Sequence, residues 1–156
     1  MNIQFFFLML VRVDKLQKIN NIMGIKQDEI EIRVRYAETD QMGVVHHGNY
    51  ALYLEMARIE WLRKLNISYR KMEENGIGLP VVSMSVNFKK PVHYDDVITV
   101  KTQLKKVPSA LVEFDYEIHN ESQEIVSTAS VVLAFIDMKT KRPTRPPKYF
   151  LEALNG

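Results

Sequence analysis

With 156 residues, 46% of them apolar and 26% charged, the chain has the size and composition of one globular domain with a core of its own. A net charge of +2 gives no reason to expect a nucleic-acid partner, and there is neither a recognition motif nor a series of stacking aromatics. The absence of cysteine excludes disulfides, a thiol nucleophile and cysteine-ligated zinc or iron–sulfur centres.

Residues 1–28 read as an N-terminal appendage. The apolar run 5–11 is too short for a bilayer span, which needs about 20 apolar residues. No basic residue precedes it and no small-residue cleavage site follows, so it is not a secretory signal; Arg12, Lys15 and Lys18 come after it instead. Met23 stands just ahead of the first strand, which makes residues 1–22 a candidate start-site artefact, with a weak membrane anchor as the alternative. No stable membrane insertion and a cytoplasmic location are expected, with residues 29–156 forming the domain.

Ile30, Ile32, Val34 and Tyr36 alternate with Glu31, Arg33 and Arg35, the period of a half-buried strand. Residues 38–50 follow as a strand-to-helix connection carrying Asp40, His46, His47, Gly43 and Gly48. Loops on rigid elements are where chemistry concentrates, and a helix N-terminus offers unpaired N–H groups. Residues 50–65 are rich in helix formers and apolar nearly all round in their first half, so a buried helix is expected, with Asn49 as its N-cap. Glu55 lies in the most apolar part, and Arg58 three residues on reads as its ion-pair partner.

Asn66 ends that helix, and 68–75 suggests a short second one stopped by Gly76. Alternation then marks strands over 79–88, 97–104, 111–118 and 125–136, with turns at Pro108-Ser109 and 120–123; residues 148–154 read as a last short helix. One long helix followed by an antiparallel succession is an α+β pattern. His93 and His119 fall at strand edges and read as surface residues. There is no internal repeat, nucleophile elbow, phosphate loop or H-E-x-x-H pair.

On residue types alone, Asp40 is either a turn carboxylate bonded to its own backbone or an acid–base group. Adjacent histidines in one loop rarely aim at the same ion, so no metal site is expected from Asp40, His46 and His47.

The run Arg35-Tyr36-Ala37-Glu38-Thr39-Asp40-Gln41-Met42-Gly43-Val44-Val45-His46-His47-Gly48-Asn49-Tyr50 resembles the signature of the YbgC-like and 4-hydroxybenzoyl-CoA thioesterases. Glu55-Met56-Ala57-Arg58 and Val92-His93-Tyr94-Asp95-Asp96 extend the resemblance, which covers residues 29–147; it departs at His46, where many relatives carry an aromatic residue. The resemblance implies a hotdog fold, in which a five-stranded antiparallel sheet wraps one long helix. It also implies a homodimer or homotetramer with active sites at the dimer interface, and hydrolysis of acyl-CoA thioesters without a cofactor. It assigns catalysis to Asp40 and His47 and carbonyl polarisation to amides near Gly48, with His46, Tyr50 and Glu55 as pocket candidates. Lys89, Lys90, Lys105, Arg142 and Arg145 become candidates for the CoA phosphates. An acyl-carrier-protein thioester is a further candidate substrate. The competing readings are a hotdog hydratase or dehydratase and a non-catalytic acyl or carrier-protein binding module.

Overall fold

A computed structural model describes residues 27–155. The proposed start-site artefact and all but two residues of the appendage lie outside that range. The first strand, β1 (Gln27–Arg33), begins at Gln27, so residues 27 and 28 belong to the sheet and not to the appendage.

The other elements are α1 (Gly48–Lys64), α2 (Tyr69–Glu74), β2 (Ile77–Gly78), β3 (Val81–Phe88), β4 (Val97–Leu104), β5 (Leu111–His119), β6 (Ile125–Ala134), β7 (Ile136–Asp137) and α3 (Lys148–Asn155). Five strands form one antiparallel sheet in the order β1-β4-β5-β6-β3, and β2 pairs with β7 in a small second sheet. The architecture is the expected hotdog arrangement.

Alternation explains how the sheet holds the helix. Ile98, Val100 and Leu104 of β4 and Val112, Phe114 and Ile118 of β5 are fully buried, while Lys101, Gln103, Asp115 and Glu117 point to the other face. The buried set shares one core with Tyr53, Leu54, Ala57, Trp61 and Leu62 of α1. Each such side chain contributes ~1.5–3 kcal/mol on leaving water. Trp61 anchors the far end of α1: its ring meets Phe114 edge-on at 5.0 Å and lies 6.5 Å from Phe150 of α3.

Several expectations are corrected. Tyr36 is not in a strand; β1 ends at Arg33 and Tyr36 opens a 3-10 turn, 77% exposed. The expected strand over 125–136 is split, because β6 ends at Ala134 and Ile136 pairs with β2 instead. His119 is buried, not at the surface, with its ring between Glu117 Oε2 at 2.9 Å and the Gln123 carbonyl at 3.3 Å. Asn49 does not cap the helix: α1 begins at Gly48, and the Asn49 side chain donates to the Glu38 carbonyl at 2.7 Å. Leu52 and Met56 are about half exposed, so α1 is not enclosed on every side by its own chain. The strand expected over 79–88 is β3, which starts at Val81. It lies at the sheet edge, Val82, Met84 and Phe88 are exposed, and only Val86 is partly covered.

Candidate active site

The chain leaves β1, makes the 3-10 turn Tyr36–Glu38, and runs through a tight loop into α1. The loop closes on itself: the Asp40 N–H donates to the Val44 carbonyl and the Gly43 N–H to the Asp40 carbonyl, both at 2.9 Å. Gly43 sits at φ +76°, a left-handed conformation in which other residues are strained. Val45 N–H donates to the Val92 carbonyl at 2.8 Å and pins the loop to the segment after β3.

Asp40 is half-buried. Its Oδ1 accepts the Met42 N–H at 2.8 Å, the turn bond expected of such a carboxylate; Oδ2 has no hydrogen-bond partner among the described residues. Asp40, His47, Tyr50, Phe88, Lys89 and Lys90 line one cavity of about 330 Å³, walled further by Val44, Val45, Pro91 and Val92. Tyr50 is buried, its ring meets Phe88 edge-on at 4.9 Å, and burial raises its hydroxyl pKa above the usual tyrosine range.

His46 stacks on His47 with ring centres 4.0 Å apart, and its Nδ1 accepts the Gly48 N–H at 3.1 Å. A side chain at position 48 would bring a Cβ to 3.2 Å from that nitrogen, a tight contact that the His46 ring would have to ease by a few tenths of an ångström. The Gly48 amide is thereby occupied, whereas the His47 N–H has no acceptor among the described residues. No metal-binding group of three or more His, Cys, Asp or Glu residues occurs among the described residues.

The other candidates are dispersed. Glu55 is exposed and does not line the cavity; it lies 3.8 Å from the guanidinium of Arg58, which is buried. Lys90 pairs with Glu124 at 2.6 Å and that hydrogen bond holds the Glu124 carboxyl below its usual range, while Lys89 has no ion pair among the described residues. Lys105 lies beyond the far end of β4, 3.8 Å from Asp115, and neither it nor the exposed Arg142 and Arg145 lines this cavity.

Sequence reading missed Phe88 as a cavity wall and Glu38 as the anchor of the loop. Glu38 is buried, and its carboxylate accepts bonds from the Arg35 main chain and guanidinium and from the Tyr53 hydroxyl. Burial alone would raise its pKa, but those bonds and the Arg35 charge together hold it below the usual glutamate value. A depressed carboxylate stabilises the fold above its unfolded-state pKa, and that contribution is lost as the pH falls through the lowered value.

A model of the thioesterase-like superfamily matches residues 34–154, and the chain belongs to that family. Its class is therefore that of thioester-cleaving enzymes. The chain is 34% identical over 133 residues to the acyl-CoA thioesterase YbgC of Helicobacter pylori, covering 80% of this chain and 97% of that protein. A solved DHNA-CoA thioesterase from Staphylococcus aureus superposes with a TM-score of 0.77 at 42% identity, over 81% of this chain and 85% of the other. A 1,4-dihydroxy-2-naphthoyl-CoA thioesterase from Synechocystis gives a TM-score of 0.77 at 25% identity, over 82% and 95%. Among the described residues no helix is long and apolar enough to cross a membrane.

Proposed function

We propose that the protein hydrolyses acyl-CoA thioesters to a free acid and CoA, with Asp40 as general base or nucleophile. The observation that carries this reading is the shared cavity of Asp40 and His47, in which one carboxylate oxygen is tied to Met42 and the other is left without a partner among the described residues. An ionised carboxylate so held can take a proton from water or attack the carbonyl carbon itself. The oxyanion is met by the His47 N–H at the head of α1, the amide left without an acceptor when His46 takes the Gly48 N–H. The His47 side chain orients the water or donates to the same oxygen. No cofactor is required, since a side chain and water supply the reacting groups.

Lys89 and Lys90 at the cavity rim suit the phosphates of CoA. The Tyr50 and Phe88 rings suit a planar acyl group, and the Synechocystis relative is named for a naphthoyl thioester, so an aromatic acyl-CoA is the proposed substrate class. In a panel of short-chain, long-chain and aromatic acyl-CoAs, kcat/KM should be highest for aromatic ones; a preference for long aliphatic chains would overturn the class while leaving the reaction intact.

The working unit is proposed to be at least a dimer. Both edge strands of the sheet need protection, and they differ. β1 carries Asp28, Glu29, Glu31 and Arg33, whereas β3 has no charged residue in Val81–Phe88 and exposes Val82, Met84 and Phe88. Pairing through β3 would extend the sheet, cover those side chains and put the Phe88 wall of the cavity at the junction. Light scattering at micromolar concentration should report a dimer or larger, and Met84→Asp should shift it towards monomer. A monomeric wild type would contradict the assembly.

A further inference from the structure

Glu38 stands two residues before Asp40 and is absent from the cavity wall, yet it is bound on three sides. Its carbonyl oxygen accepts the His46 N–H at 2.9 Å and the Asn49 side-chain N–H at 2.7 Å, so it grips the chain on both sides of His47. Oε2 accepts the Tyr53 hydroxyl and the Arg35 N–H, both at 2.8 Å. Oε1 accepts Arg35 Nε at 2.8 Å and Nη2 at 2.6 Å. One buried residue thus joins the end of β1, the far side of the loop and the second turn of α1.

We infer that Glu38 and Tyr53 are positioning residues for the reaction: together they set where His47 and the amide at the head of α1 stand relative to Asp40. The inference rests on the proposed roles of Asp40 and His47. The Tyr53 ring is held by burial and by its edge contact with Tyr50 at 5.9 Å, so its hydroxyl is a fixed point on the helix from which the carboxylate hangs. Without that hydroxyl the Glu38 carbonyl keeps its bonds to His46 and Asn49, but the carboxylate keeps only Arg35, whose guanidinium is largely exposed and provides no rigid reference. The loop would then be tied to the first turn of α1 but no longer to the second, free to shift about the Glu38 carbonyl with every reacting group still present. Displacements of about 1 Å at a reacting centre cost on the order of 10²-fold in rate.

The test compares Tyr53→Phe, Glu38→Gln and Glu38→Ala with wild type, reading kcat and KM for an acyl-CoA, melting temperature, and amide hydrogen exchange at His46. Tyr53→Phe should lower kcat by roughly 10-fold or more, within that displacement cost, with KM little changed. It should speed exchange at His46 while leaving the β4 and β5 amides as protected as before. Glu38→Gln, which keeps an acceptor for Tyr53, should retain more activity than Glu38→Ala. If Tyr53→Phe and Glu38→Ala lower only the melting temperature, with kcat and His46 exchange as in wild type, the pair is structural and the inference is overturned. If wild type releases no CoA from any thioester, the functional reading fails, and His46 exchange alone decides whether the pair holds the loop.

Discussion

Asp40→Asn should lower turnover by about 10²–10⁴, the range for losing a positioned acid–base group. Asparagine keeps the shape, and its side-chain carbonyl can still accept the Met42 N–H that Oδ1 accepts in the wild type, so the Asp40–Val44 turn should survive. What disappears is the negative charge. An amide neither takes a proton from water nor attacks a carbonyl, so both candidate mechanisms fail together. KM should change little, because the CoA phosphates are assigned to Lys89 and Lys90 and the acyl group to Tyr50 and Phe88. A loss confined to kcat marks an interaction made mainly in the transition state. Near-normal turnover in a folded Asp40→Asn protein would reduce Asp40 to the turn residue that its Met42 bond already makes it.

Trp61→Ala should destabilise the fold by about 3–5 kcal/mol, the range for truncating a fully buried large aromatic. Trp61 is 1% exposed and sits where α1, β5 and α3 converge, against Phe114 and Phe150. Phe150 in turn meets Phe135 edge-on at 5.2 Å, so truncation would loosen the docking of α3 as well. Chemical denaturation should show the loss as a lower midpoint, measured at fixed protein concentration because assembly would add to apparent stability. The Asp40 loop lies at the other end of α1, so the folded fraction should keep the wild-type KM. A change under about 1 kcal/mol would mean that this end of the helix is not the anchor it looks.

The loop stood out because Asp40, His47 and the glycines fall within nine residues, but residue types left Asp40 open between a turn and an acid–base role, and only the resemblance to the thioesterase signature singled out Asp40 and His47, which the structure places on one cavity. The strands were legible because alternation records which face of a strand is apolar. Alternation does not record what covers that face, as β3 shows: Val82, Met84 and Phe88 alternate as a strand should but are exposed in their own chain. Glu38 was hidden because its role depends on Tyr53, fifteen residues away across a helix turn, and on a main-chain carbonyl that side-chain chemistry never reveals. The signal that could have exposed it is a tyrosine hydroxyl needing a partner within a buried helix. Asn49 was misplaced for a related reason: its side chain spans the loop to Glu38 while a histidine ring takes the Gly48 amide. The cations show a third limit. Surface charge follows no period, so nothing along the chain distinguished Lys89 at the cavity rim from Lys105 beyond the far end of β4.

Thioester cleavage itself is the most direct measure. Wild-type protein incubated with an aromatic acyl-CoA should release free CoA thiol catalytically, one thiol and one free acid for each thioester consumed. Binding of the thioester without thiol release, or hydration of an unsaturated acyl chain with the thioester intact, would contradict the account.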